Sequence, residues 1–287
     1  PTDILIESIE SSLETSYTKV YGSLEPHYAK IISSSARIAL EHISNSDALY
    51  HDVMHTIQVA LVSQQILRGR HLVARVTPDD WLHFTIAALF HDIGYVRGIC
   101  SGDGDGVYVI NDKGDTVRPP RGATDSFLTP YHVDRGKIFV RERASEVPYL
   151  DAERIAKSIE LTRFPVPDSE DHNQIGTEAG SVRAADLIGQ FGDPHYLRKT
   201  NHLFQEFKET GVADELGYET AADLADDYPR FFWDVAYKYL TEAIRYLQLT
   251  QEGKQWVANL HSHVFEVEHK ANYLGPCRGE QGNANGS

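Results

Sequence analysis

Long apolar runs are missing from this 287-residue chain. Without a stretch of ~20 apolar residues there is no transmembrane helix. A basic-then-apolar start is also missing, so no signal peptide is visible. Cysteine is almost absent: Cys100 and Cys277 stand far apart and form no CxxC. That excludes a disulfide framework and a zinc ribbon. It also fits a reducing, cytoplasmic setting. Basic charge is scarce, with 27 Lys and Arg against 42 Asp and Glu and a net charge of −15. Nucleic acid and anionic membranes want a basic face, so neither is expected as the main partner. A phosphorylated small molecule stays open, because a metal ion or a few local arginines can supply positive charge. No Walker loop, no glycine-rich dinucleotide turn and no serine-hydrolase elbow occurs. The chain opens on Pro1 rather than Met, which leaves open whether residues upstream of it were removed.

What is present is ordinary for a globular protein: 41% apolar and 24% charged residues. A chain of this length can build its own core. Most of it has helical period. Ile6, Ile9, Leu13, Tyr17 and Val20 form one stripe over 3–21. Pro26 opens a second helix carrying Ile31, Ile32, Ala39 and Ile43. A third is expected over 51–68. Thr77-Pro78-Asp79-Asp80 starts a fourth that passes Trp81, Phe84, Ala88 and Phe90 and stops near Gly94. Thr129-Pro130 and Asp193-Pro194 offer the same cap-plus-proline start. Further helices are expected over 151–162, 177–189, 194–210, 229–249 and 252–272.

Residues 98–128 break the pattern with Gly, Asp and Pro. Val107-Tyr108-Val109-Ile110 and Asp115-Thr116-Val117, joined through Asn111-Asp112-Lys113-Gly114, predict a β-hairpin. An insertion this long in a compact domain is expected to be an ordered flap. Asp103-Gly104-Asp105-Gly106 lacks the ligand series of a calcium loop. The chain therefore reads as one all-α domain over 1–274, with a disordered tail over 275–287. The helices upstream of residue 45 are read either as a homodimer face or as a lid.

Four residues are out of place in this pattern. His91-Asp92 ends the apolar helix Ala87-Ala88-Leu89-Phe90. Asp186 sits in Ala184-Ala185-Asp186-Leu187-Ile188. A carboxylate in such a setting costs several kcal/mol unless it is paired or bound to a metal. The plain alternative for Asp186 is an ion pair with Arg183. His55 follows His51 by four residues, which would put both on one helix face. Taken singly, such pairs arise by chance among 14 histidines. Together, His55, His91, Asp92 and Asp186 supply two imidazoles and two carboxylates from three helices. That donor set suits Mn, Fe, Zn, Ni or Mg and leaves coordination positions open.

The ordered set His55, His91-Asp92-Ile93-Gly94, Asp186 resembles the signature of the HD-domain metal-dependent phosphohydrolases. The nearest branch resembles the cyclic-nucleotide phosphodiesterases, in which Tyr-His-Asn-x-x-His carries a general acid and then a metal ligand. Here the stretch is Tyr50-His51-Asp52-Val53-Met54-His55, with Asp where Asn is usual. The closing Ala185-Asp186-Leu187 is also similar. The likeness covers about residues 45–210.

The resemblance implies an all-α HD-domain bundle with the hairpin as a flap insertion. It implies His55, His91, Asp92 and Asp186 as ligands of one divalent metal and His51 as general acid. It places His132 where many members have a further histidine. Near the next position, where two-metal members have His, this chain has Glu160-Leu161-Thr162. His132 and Glu160 are thus the candidates for a second metal or an outer contact, with Asp92 as the bridge. Arg118 and Arg121 on the flap are candidate phosphate binders. Tyr228-Pro229-Arg230-Phe231-Phe232-Trp233-Asp234 has aromatics but no purine-holding Gln, so cyclic-nucleotide specificity is not carried over. The expected activity is hydrolysis of a nucleotide-like or other small phosphoester by metal-activated water. The alternatives are a non-catalytic metal- or nucleotide-binding signalling module and a diiron HD-domain oxygenase. His261, His263 and His269 read as surface or packing residues.

Overall fold

The computed structural model describes residues 2–270. The tail expectation over 275–287 lies outside the described residues. The chain is 69% helix and 2% strand, so its class is all-α. No helix among the described residues is long and apolar enough to cross a membrane.

The first helices are α1 (Thr2–Tyr21), α2 (Pro26–Ile43), α3 (Val53–Val73) and α4 (Pro78–Phe90). The α4 start is the expected one: Thr77 and Asp80 form a reciprocal capping box, with Pro78 in the first turn. Every residue of α4 from Trp81 to Phe90 is buried. A helix apolar all round belongs at the centre of a bundle. Accordingly α4 touches α2, α3, α6 (Ala152–Glu160) and α7 (Glu178–Phe191). The core continues from Ile6 in α1 to Val264 in α12 (Gln251–Lys270) as one buried cluster.

The expected hairpin is short. β1 (Tyr108–Val109) pairs antiparallel with β2 (Thr116–Val117), Tyr108 opposite Val117. The Asn111 side chain accepts from the Lys113 and Asp115 amides and so shapes the turn. The Asp103 carboxylate is taken by Arg135 at 2.9 and 3.0 Å, so the segment is a clamp and not a cation loop.

Three helix starts differ from expectation. Thr129-Pro130 does not open a helix. The Thr129 hydroxyl donates to the Ser126 carbonyl at 2.6 Å, and α5 (His132–Ala144) begins two residues later. Asp193 instead accepts from the His195 amide at 2.8 Å, and α8 (Tyr196–Thr210) follows. Pro229 does not start a helix either. It lies inside α10 (Ala221–Phe231), which begins earlier because Thr220 and Asp223 form a second capping box. Proline deletes one backbone hydrogen bond. A π-helical turn, Phe232–Ala236, follows directly and passes the chain into α11 (Tyr237–Leu247). The short α9 (Val212–Leu216) between left-handed Gly211 and Gly217 was not expected from period. A small second cluster, Tyr50 with Leu203, Phe204, Ala213 and Leu224, docks α8 beside the start of α3.

Candidate metal centre

Two glycines set the distances at this centre. A Cβ on Gly189 of α7 would lie 2.6–2.9 Å from Val59 of α3. Only glycine lets α7 approach so closely, and that approach brings Asp186 to His55. A Cβ on Gly94 would lie 1.8 Å from the His132 carbonyl. That contact lets the turn after His91-Asp92 press against the first residue of α5.

The four candidate ligands meet. His55 Nε2 lies 3.3 Å from Asp92 Oδ2 and 3.2 Å from Asp186 Oδ1. His91 Nε2 lies 3.1 and 3.5 Å from the same atoms, and 3.3 Å from His55 Nε2. Donors about 2.1 Å from one cation stand about 3.0–3.4 Å apart in octahedral or tetrahedral arrangements. Four of the five observed spacings fall in that range, and the fifth, His91 to Asp186, is 3.5 Å. His55, His91 and Asp186 bring one ligand atom each within 4.8 Å of one another. Asp92 joins them through both imidazoles.

Two further observations fit a cation here. Asp92 Oδ2 is buried, and apart from the two imidazoles 3.1 and 3.3 Å away no donor among the described residues reaches it. A buried carboxylate oxygen left so is costly unless something positive meets it. His91 Nδ1 lies 2.8 Å from the Ala88 carbonyl, and His132 Nδ1 lies 2.6 Å from the Thr129 carbonyl. An Nδ1–H donated to each carbonyl leaves the Nε2 lone pair facing the centre, a usual outer support for a ligand histidine. Asp186 is not paired with Arg183. That guanidinium donates to the His172 and Gln174 carbonyls and lies over the Tyr239 ring.

The electrostatics are those of a site that wants positive charge. Burial would push the His91 and His55 imidazoles down, but the two carboxylates outweigh it and raise both. Burial would likewise lift the carboxyls. The facing imidazoles win, holding Asp92 well below the usual range and Asp186 at about 2. His132 Nε2 stands 3.8 Å from Asp92 Oδ1. The two oxygens of Asp92 thus face different partners. Burial holds His132 low.

His51 is beside the cluster, but not by helix periodicity. Helix α3 begins at Val53, and Asp52 caps it by accepting from the His55 amide at 2.9 Å. His51 precedes the cap, in a bend. There Glu206 of α8 accepts from the Tyr50 amide at 2.7 Å and from the His51 amide at 3.3 Å. Its other oxygen lies 2.6 Å from His51 Nδ1. Burial lowers the His51 pKa, yet the Glu206 carboxylate, aided by Asp92 and Asp186, raises it to about 9. The Tyr95 ring stacks at 4.5 Å on both His51 and His132.

Glu206 and Tyr95 were not singled out by sequence. Glu206 carries the same anomaly as Asp186, an acid on the apolar face that holds Tyr196, Thr200 and Leu203. Tyr95, in an apolar run, gives no such signal.

The other candidates lie elsewhere. Glu160 is bound by Arg163 at 2.6 Å, by His172 at 3.1 Å and by Lys137. Burial would raise its carboxyl, but the hydrogen bonds from Arg163, Lys137 and His172 hold it at about 2. Its ordinary value is 4.5, so the network stabilises the fold fully above pH 4.5 and loses that contribution as pH falls towards about 2. We expect Glu160→Gln to be less stable at pH 7. Its urea midpoint should also fall less than the native one between pH 5 and 2.5; equal falls would deny the network this role. Arg118 is exposed and donates to the Asp105 carbonyl at 3.3 Å. Arg121 is exposed as well. Neither makes a recorded contact with the cluster.

The sequence model of the Npun_R2479-like family matches residues 1–270. The chain belongs to that family. No curated protein matches it.

Proposed function

We propose that this protein is a metal-dependent phosphohydrolase of the HD-domain kind, acting on a nucleotide-like or other small phosphoester. One observation carries the reading most of all. A histidine held by a buried glutamate stands directly against a buried nest of two imidazoles and two carboxylates. A pure metal-binding module has no need of that dyad.

His55, His91, Asp92 and Asp186 would hold the cation. When bound, it would act as a Lewis acid and lower the pKa of a coordinated water towards ~7. The two carboxylates would balance its charge, and the Ala88 carbonyl would keep His91 in the ligating tautomer. His51 would donate a proton from Nε2 to the leaving oxygen of the ester. Glu206 fixes the His51 ring through Nδ1 and keeps it protonated at neutral pH. Tyr95 restrains the same ring from its face. For a second cation, the second oxygen of Asp92 would have His132 as its one further neighbour of ligand type among the described residues. We therefore favour a single catalytic metal. The exposed Arg118 and Arg121 are left out of the phosphate site.

The test is turnover of bis(p-nitrophenyl) phosphate and a panel of nucleoside phosphoesters by protein reloaded with Mn, Zn, Ni, Mg or Fe. The expected result is metal-dependent hydrolysis that Asp186→Asn abolishes. Retained metal with no turnover on any ester would instead favour a binding module.

A further inference from the structure

A hollow of about 300 Å³ opens between α2, α4 and α5, and none of the four ligands lines it. That volume is at the lower end for small-molecule sites. Its floor is apolar: Ile86 and Phe90 of α4, and Phe139 of α5, are almost fully buried. Phe90 and Phe139 meet at 5.5 Å, and the His42 ring stands edge-on to Phe139 at 5.9 Å. At the rim, Ile38 is 45% and Val147 37% exposed. An apolar lining of this kind favours a ligand that brings carbon into it.

Polar side chains at the hollow are few, Ser35, His42 and Arg143, and Arg143 is the one that carries charge, because burial and Arg143 itself push the His42 pKa down. Arg143 and His42 line the mouth. On the same helix, Arg135 is paired with Asp103, and Arg141 with Glu153 and Asp112. Arg143 has no such partner among the described residues. The acid nearest His42 in sequence, Glu41, is engaged by Arg37. In a chain of net charge −15, an unpaired guanidinium at the mouth of an apolar hollow lacks only an anion. The loop that closes the hollow carries Val147 and Leu150. Between them Tyr149 adopts φ +76°, with its ring 4.3 Å from His27 and 5.8 Å from Tyr28. Such strain persists only where the surroundings hold it, and it often marks a ligand clamp.

We infer that this hollow is a binding site for a small amphipathic monoanion, an alkyl or aryl carboxylate. Its tail fills the space over Phe90 and Phe139, and its carboxylate pairs with Arg143. The site is separate from the metal centre, and the inference does not rest on hydrolase activity.

The probes are octanoate and the fluorescent aryl sulfonate 1-anilinonaphthalene-8-sulfonate. On native protein the dye should bind saturably and be displaced by octanoate. Octan-1-ol should compete less well, and octylamine least. Arg143→Gln removes an exposed, unpaired side chain, so the fold should persist. It should weaken octanoate at least about tenfold while leaving octan-1-ol unchanged. Ile38→Trp, which fills the hollow from an exposed position, should block every probe with an unchanged melting profile. The inference fails if binding is not saturable. It also fails if octylamine matches octanoate, if Arg143→Gln binds octanoate like the native protein, or if folded Ile38→Trp still binds.

Discussion

Replacing His51 by Ala should leave metal content intact and cut phosphoester turnover by about 10²–10⁴-fold. The residue is placed for one task. Its imidazole lies 17% exposed beside the cluster, with Nδ1 on Glu206 at 2.6 Å. It shares no atom with the coordinating set, so its loss should not release the cation. Glu206 acts on the reaction only through His51. Glu206→Gln keeps a similar shape but removes the charge that lifts the His51 pKa to about 9. A group with a raised pKa stays protonated to higher pH. Losing the lift should therefore move the alkaline limb of the rate profile to lower pH, with the metal still bound. A wholly structural glutamate would lower the rate at every pH and leave the limb in place. An unchanged rate in metal-loaded His51→Ala would remove His51 from the mechanism.

The largest expected effect on stability comes from Arg135, which is fully buried. Besides Asp103, it donates to the carbonyls of Gly94 at 2.8 Å, Val96 at 2.9 Å and Val109 at 2.6 Å. One side chain thus ties α5 to the turn after Asp92 and to the hairpin. Arg135→Ala leaves the buried Asp103 charge with three backbone amides but no cation, and leaves three carbonyls without that donor. Breaking a buried pair from one side costs about 3–5 kcal/mol, enough to threaten a fold of ordinary stability. Arg135→Ala with Asp103→Ala should be less destabilised than the two single variants summed, because the stranded charge is gone. Urea unfolding of the three variants measures this. A loss under about 1 kcal/mol for Arg135→Ala would mean that water replaces the guanidinium and that the clamp holds nothing.

The sequence made His55, His91, Asp92 and Asp186 legible because each is polar in an apolar stretch and their order has a known likeness. The helix starts at Pro26 and Pro78 were legible through their prolines and, at Thr77, its cap. Local rules failed where long-range contacts decided. His51 is beside His55 because Glu206, 155 residues away, holds the bend before the cap. Periodicity gave the right neighbour for the wrong reason. Pro229 misled because the capping box at Thr220 and Asp223 outweighs one missing amide. Glu160 suited a metal by sequence position, yet Lys137, Arg163 and His172 converge on it. Arg163 is a local partner three residues on, but Lys137 and His172 lie 23 and 12 residues away, and nothing in the local sequence links those two to Glu160.

The central claim is that the nest around Asp92 Oδ2 holds a metal ion. Elemental mass spectrometry on native protein, reloaded in turn with Mn, Zn, Ni, Mg and Fe, tests it beside Asp92→Ala. We expect about one equivalent of divalent metal in the native protein, and its loss from a folded Asp92→Ala. Two equivalents of iron would point instead to oxygen chemistry. No bound metal after any reloading would contradict the account, and the four residues would then be a buried polar cluster held together by protons.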